Sequence, residues 1–145
     1  MTIIKDLYFY DPTGTYTYPE WTNGAGKISL SGSNITGNTC TLYGIKIGKQ
    51  NRLIISNVTH YAYWPNESNG NVWSYLYVGT TMGGSDVKSY THYIVAEGSS
   101  KTLRYDYDID VSAYSGKTLY ITLALNLWNR SNGSISIGKT YITKT

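Results

Sequence analysis

Three carboxylates alternate in the stretch "LRYDYDIDV": Asp106, Asp108 and Asp110. Spaced two apart, they share one face of a strand and could hold a hard cation. The same spacing also describes a solvated face that discourages edge pairing. Glu20, Glu67 and Glu97 are dispersed in turn-like sequence. Nothing therefore pairs two carboxylates at the roughly 5 Å that a retaining glycosidase needs. His60 and His92 sit in strand-like sequence with no fixed partner. They read as surface or packed residues rather than catalysts. No serine stands in a nucleophile elbow. The Gly-rich run "GTTMGGSD" precedes a strand and not a helix, so it makes no phosphate cradle. Cys40 is the single cysteine. It can form no internal disulfide, no Cys/His cluster offers a zinc site, and its expected role is a small buried apolar residue. The chain reads as a non-enzyme with no catalytic residue and no metal ligand set.

The recurrent chemical group is instead the flat ring. Among 145 residues there are 16 Tyr and 4 Trp. In the strand-like run 52–64, alternation puts Ile54, Val58 and Ala62 on one face and Asn57, Thr59, Tyr61 and Tyr63 on the other. In 72–79, Val72, Leu76 and Val78 oppose Trp73, Tyr75 and Tyr77. A hairpin across "PNESNGN", closing with Trp64 opposite Val72, would place Tyr63 against Trp73, Tyr61 against Tyr75 and Thr59 against Tyr77. All five aromatics would then share one side. Aliphatic side chains suit a dry interior, whereas Tyr keeps its hydroxyl wet, so the aromatic side is expected to face outward. Exposed rings in a row mark a binding surface. Sugar rings present C–H faces that stack on such rings, which makes a carbohydrate platform one reading. Ordinary cross-strand aromatic pairing, or coverage by a loop, is the other.

The elements that must carry these rings are strands. No helical periodicity holds, while alternation recurs near 4–10, 26–31, 40–48, 52–64, 72–79, 87–96, 101–111, 117–126 and 134–142. Gly- and Asn-rich punctuation separates them, which indicates a sandwich or barrel in one domain covering 1–145. A chain this long buries enough surface to fold without metal or disulfide. In 101–111 the predicted core face is Leu103, Tyr105, Tyr107, Ile109 and Val111. Arg104 and the three aspartates lie opposite. In 117–126 Leu119, Ile121, Leu123 and Leu125 point inward, and Thr118, Tyr120 and Thr122 outward. Charged residues are only 14% and the net charge of +3 is scattered, so no electrostatic footprint for nucleic acid exists. No apolar run approaches the roughly 20 residues of a membrane span. "MTIIKDLYFYDPTG" lacks the pattern of a signal peptide. The Asn-x-Ser/Thr sequons at Asn34, Asn57, Asn66, Asn129 and Asn132 are read as chance matches in a chain rich in Asn, Ser and Thr.

The passage "DIDVSAYSGKTLYITLAL" resembles the Asp-hydrophobic-Ser-Ala-Tyr-x-Gly-Lys-Thr-hydrophobic segment of galactose-binding-like jelly rolls, which include many carbohydrate-binding modules. The resemblance covers about the last 40 residues, with "NLWNRSNG" as a loop and "SISIGKTYIT" as the last strand. It implies an all-β, antiparallel two-sheet β-sandwich (jelly roll). It also implies a ligand site either on a strand-built concave face or on loops at one end. Tyr61, Tyr63, Trp73, Tyr75 and Tyr77 match the first by residue kind. Trp64 beside the 65–71 loop, and Trp128 with Asn129, Arg130 and Asn132, match the second, although Trp128 could instead plug a sandwich end. Family members often carry an acid in the last strand near a structural calcium. This chain has Gly138 and Lys139 there, so no cofactor is expected and a calcium has no specific motif behind it.

The combined expectation is a non-catalytic module that binds polysaccharide or cell-wall glycan, extracellular or on a virion surface. A bacteriophage tail or baseplate fits by compositional analogy. Neither nucleic acid nor membrane insertion is expected. A homo-oligomer or attachment to a larger assembly is open. The competing reading is a structural virion or cell-surface jelly roll whose aromatic face docks on protein.

Overall fold

The computed structural model describes residues 2–3, 9–10, 17–22, 25–35, 40–64, 70–95 and 99–144, with side chains described in 25–35, 44–64, 70–95 and 99–144. The readings made for Cys40, Glu20, Glu67 and Glu97 concern side chains outside those ranges.

The strands are β1 (Thr2–Ile3), β2 (Phe9–Tyr10), β3 (Thr17–Thr22), β4 (Ala25–Ser33), β5 (Cys40–Lys46), β6 (Arg52–Tyr63), β7 (Asn71–Gly79), β8 (Lys88–Val95), β9 (Ser100–Asp110), β10 (Thr118–Trp128) and β11 (Arg130–Thr143). They form two antiparallel sheets in the order β3-β4-β11-β6-β9, with β1 also on β11, and β2-β5-β10-β7-β8. This is the jelly-roll sandwich that the alternation and the Ser-Ala-Tyr corner led to. β3 was not anticipated, because Pro19 and the lack of clean alternation hide it. The "NLWNRSNG" loop is also absent. β10 runs to Trp128 and β11 starts at Arg130, with Asn129 alone at φ 57° turning the chain from one sheet into the other.

The corner itself is a single 3-10 turn at Ser112–Tyr114. Asp110 Oδ1 accepts from the Ser112 amide and hydroxyl at 2.9 and 2.7 Å. Gly116 takes a φ of 81°, which an L side chain rarely adopts. Its amide donates to Ile47 O at 2.7 Å, while the Ile47 amide donates to Lys117 O at 2.8 Å. The turn is thereby fastened to the end of β5, and β10 starts at a fixed place.

Between the sheets lie Ile28, Leu30, Leu53, Ile55, Val58, Ala62, Ile135 and Ile137 from one layer and Val72, Leu76, Val78, Leu119, Ile121, Leu123, Leu125 and Leu127 from the other. In β6 the inward positions are Leu53 and Ile55, then Val58, His60 and Ala62. The period of two slips by one between Ile55 and Val58, where the pairing to β9 shifts register. Ile54, expected inside, is therefore turned outward and half-buried. The cause is a bulge: Asn57 is left-handed at φ 54°. Its amide donates to Asp106 Oδ1 at 2.7 Å. Gly138 on β11 leaves the room it needs, since a Cβ there would stand 2.8 Å from the Cβ of Asn57.

The hairpin predicted between 52–64 and 72–79 does not form. β6 is paired along both edges, to β11 and to β9, so it has no edge left for β7. β7 belongs to the other sheet, between β10 and β8. Tyr63 does not face Trp73, nor Tyr61 Tyr75, nor Thr59 Tyr77. Alternation told which side of its own sheet each ring occupies. It carried no information on which sheet that was.

Candidate functional site

The rings do point away from the core, but they are divided between the two outer surfaces. β7 presents Trp73, Tyr75 and Tyr77 on the outside of the β2-β5-β10-β7-β8 sheet, and each is half-buried. The register extends this line sideways. Asn126 of β10, Trp73 and Tyr93 of β8 lie in one row; Ala124, Tyr75 and Thr91 in the next; Thr122, Tyr77 and Ser89 in the third. Tyr93 is 52% exposed, and its ring lies 4.8 Å from that of Trp73. Tyr75 and Tyr77 follow with centroids 5.7 Å apart and planes tilted by 31°. Thr122 and Ala124 take the outward positions beside Tyr77 and Tyr75 and are buried among their neighbours.

At one end of this face lies a trough of about 340 Å³ lined by Asn34, Trp73, Tyr75, Asn126, Leu127 and Trp128. Trp128 is 48% exposed and forms its outer wall. It is not a plug in the sandwich. Asn126 Nδ2 donates to the Tyr75 hydroxyl at 3.1 Å, which fixes the direction of both polar groups. The chain after β4 is tied down beside them: the Asn129 amide donates to Asn34 Oδ1 at 2.9 Å, and the Leu127 amide to Ile35 O at 2.7 Å. The trough thus combines two indole rings and a phenol with carboxamides set for hydrogen bonding. At the other end the Tyr120 ring lies over Gly44, where a Cβ would stand 2.8 Å from its Cε1. The phenol of Tyr77 is pushed up by burial and by Tyr75 beside it, so its hydroxyl stays neutral at ordinary pH.

Other expected site residues lie elsewhere. Tyr61 and Tyr63 are exposed on the opposite surface of the sandwich. Trp64 is fully buried in the core, so it is not a ligand-binding residue; its indole N–H has no partner among the described residues. Its place follows from plain alternation, since it shares the inward parity of Val58, His60 and Ala62. Asn129 and Arg130 do not line the trough: Asn129 makes the corner, and Arg130 opens β11 opposite Ser33. Asn132 is on the surface with Tyr63. Tyr93, Asn34 and Asn126 were missed. Tyr93 was recoverable only from pairing, because its strand had no assigned partner. Asn126 ends the predicted strand 117–126, where nothing in the sequence shows that Tyr75 is its neighbour.

The two histidines are packed against each other. His60 lies in the core and His92 on the edge strand β8, with ring centroids 4.3 Å apart. Ser74 Oγ is 2.7 Å from His60 Nδ1, and the Tyr107 hydroxyl lies 3.1 Å from His60 Nε2 and 2.9 Å from His92 Nε2. Burial first, and His92 second, hold His60 far below the ordinary imidazole value, at about 3. Tyr105 was expected in the core with Tyr107. It is instead 38% exposed, stacked on His92 at 4.5 Å along the seam between β8 and β9. Leu103 is likewise only partly buried.

Asp106, Asp108 and Asp110 form a solvent-facing row. Their carboxylates accept from Asn57 and Ser56, from Arg52 Nε at 2.8 Å, and from Ser112, respectively. Among the described residues, no group of three His, Cys, Asp or Glu side chains is placed to hold a metal ion. No helix among them is long and apolar enough to cross a membrane.

No protein-family model matches the sequence, and no curated protein matches it. Solved structures do. The chain is similar to the N-terminal cellulose-binding domain of Cellulomonas fimi β-1,4-glucanase C, at 10% identity over 96% of this chain and 90% of that one, with a TM-score of 0.49. It is similar to the carbohydrate-binding module TmCBM61 in complex with β-1,4-galactotriose, at 11% identity over 96% and 82%, with a TM-score of 0.46. It is also similar to the glycoside hydrolase domain of Endo-D from Streptococcus pneumoniae R6, at 16% identity and a TM-score of 0.45. That match covers 96% of this chain, which spans only 22% of the other.

Proposed function

We propose that the outer face of β7, β8 and β10 binds a neutral polysaccharide without altering it. The observation that carries this reading is the set of four rings on one face, Tyr93 beside Trp73 and Tyr75 beside Tyr77, next to a trough walled by Trp128 and furnished with Asn34 and Asn126. A sugar stacks its C–H face on a ring while its hydroxyls reach carboxamides. Affinity from a few stacked rings is on the order of millimolar to micromolar, about −4 to −8 kcal/mol. Display in several copies, as on a phage tail or a cell-surface assembly, would convert this into tight attachment.

The test is affinity electrophoresis and tryptophan-fluorescence titration with soluble β-1,4-glucan, β-1,4-galactan and xylan. Trp73→Ala should weaken binding at least tenfold and leave cooperative unfolding intact, because the ring stands on the surface. Undiminished binding by that variant would remove the proposed face. A wild-type chain that binds none of these glycans, and sediments as an oligomer with its indoles shielded from quencher, would mark the face as a protein–protein interface instead.

A further inference from the structure

The opposite surface of the sandwich carries a second depression. Register aligns three columns of outward side chains there. Ser31, Asn132 and Tyr63 lie in one row; Ser29, Ser134 and Tyr61 in the next; Lys27, Ser136 and Thr59 in the third. The central column, on β11, is made of small hydroxyl and carboxamide residues. It lies lower than the tyrosine ridge of β6, with Tyr61 37% and Tyr63 41% exposed. The result is a cavity of about 250 Å³ lined by Tyr61, Ser29, Ser31, Asn132, Ser134 and Lys27, together with the backbone of Leu30 and Gly133.

We propose that this cavity is a second saccharide site. Its chemistry narrows the ligand class. The strands β4, β11 and β6 that form its floor are paired on both edges, so no peptide can add to them as a further strand. Among the described lining residues one lysine is the sole charged side chain, too little for a nucleic-acid backbone. What the cavity offers is one ring to stack on and a floor of neutral groups that both donate and accept hydrogen bonds. That set suits a polyhydroxylated ring. Because the two sites are on opposite outer faces, a single copy of the chain would bridge two glycan strands. The bridging, though not the second site itself, rests on the function proposed above.

Calorimetric titration with short β-1,4-gluco-, galacto- and xylo-oligosaccharides separates the two. The wild type should bind about two equivalents of the preferred oligomer, and each single variant, Trp73→Ala or Tyr61→Ala, about one. Ser31→Phe, which fills the cavity and removes no ring, should act like Tyr61→Ala. The wild type should also crosslink and precipitate the parent polysaccharide, and either ring variant should only bind it. A stoichiometry of one that Trp73→Ala abolishes and Tyr61→Ala and Ser31→Phe leave unchanged would overturn the second site and keep the first. Binding lost with Tyr61→Ala and indifferent to Trp73→Ala would keep the second site and overturn the first. No binding by the wild type would overturn both.

Discussion

Acid should loosen this sandwich well before its carboxylates are protonated. His60 has no exposed surface and is enclosed by Ser74, His92 and Tyr107. The Tyr107 hydroxyl has one proton to give. Of the two imidazole nitrogens that reach its oxygen, one accepts and the other donates, which neutral rings accomplish without strain. A proton added to His60 would place an unsolvated charge among apolar side chains and 4.3 Å from a second imidazole. Its folded-state value of about 3 lies below the ordinary 6.5. Between those values the unfolded chain holds more protons than the folded one, so stability is complete above about pH 6.5 and falls as the pH drops toward 3. The loss from about pH 7.5 to 4.5 is roughly 2 to 3 kcal/mol from this one group. That is a large share of a typical domain stability of about 5 to 15 kcal/mol. His92, also lowered by burial, acts in the same direction. Asp86 and Asp110 are held below the usual carboxylate range by hydrogen bonds from Thr80 and Ser112, so their contribution is lost only at lower pH. Urea unfolding followed by tryptophan fluorescence across this window should show the midpoint falling steadily. In His60→Gln, which can still reach Tyr107 but cannot titrate, most of the slope should vanish whatever its absolute stability. A flat wild-type profile, or an unchanged slope in the variant, would refute the assignment of a buried neutral imidazole.

Two packing predictions accompany it. Trp64 fills the core, so Trp64→Ala should cost about 3 to 5 kcal/mol in chemical denaturation and leave any glycan affinity of the folded fraction unchanged. Trp64→Phe should cost much less, because the indole N–H it deletes has no partner among the described residues. Gly138→Ala should destabilise by about 1 to 3 kcal/mol, since its methyl would meet Asn57 at 2.8 Å. Adding Asn57→Gly should recover part of that loss, which a thermal double-mutant cycle would measure.

The strands were legible because their side-chain period of two survives in the sequence, and the Ser-Ala-Tyr-x-Gly-Lys corner is a local device whose hydrogen bonds span only a few residues. Which rings face water was equally legible for Trp73, Tyr75 and Tyr77, which alternate with Val72, Leu76 and Val78 and with no slip of the period between them. It failed for Ile54 because one left-handed asparagine reverses the alternation, whereas Trp64 keeps the inward parity of Val58 and Ala62 and its expected ligand role came from the neighbouring 65–71 loop, not from alternation. Nothing in a run such as "RLIISNVTHYAYW" announces that slip without Gly138 across the sheet.

Inward or outward is decided within a strand, by the pleat, and the amino-acid order carries it. Neighbourhood is decided between strands, by which edges remain free to pair. β6 used both of its edges on β11 and β9, and so Tyr61 and Tyr63 ended on one surface and Trp73 and Tyr75 on the other. The same long-range pairing brought Tyr93 beside Trp73 and Asn126 within reach of Tyr75, joining residues up to 51 positions apart. The sequence determined that flat rings would be left at the surface. Only the closure of two sheets determined that there would be two such surfaces, and which residues would share each.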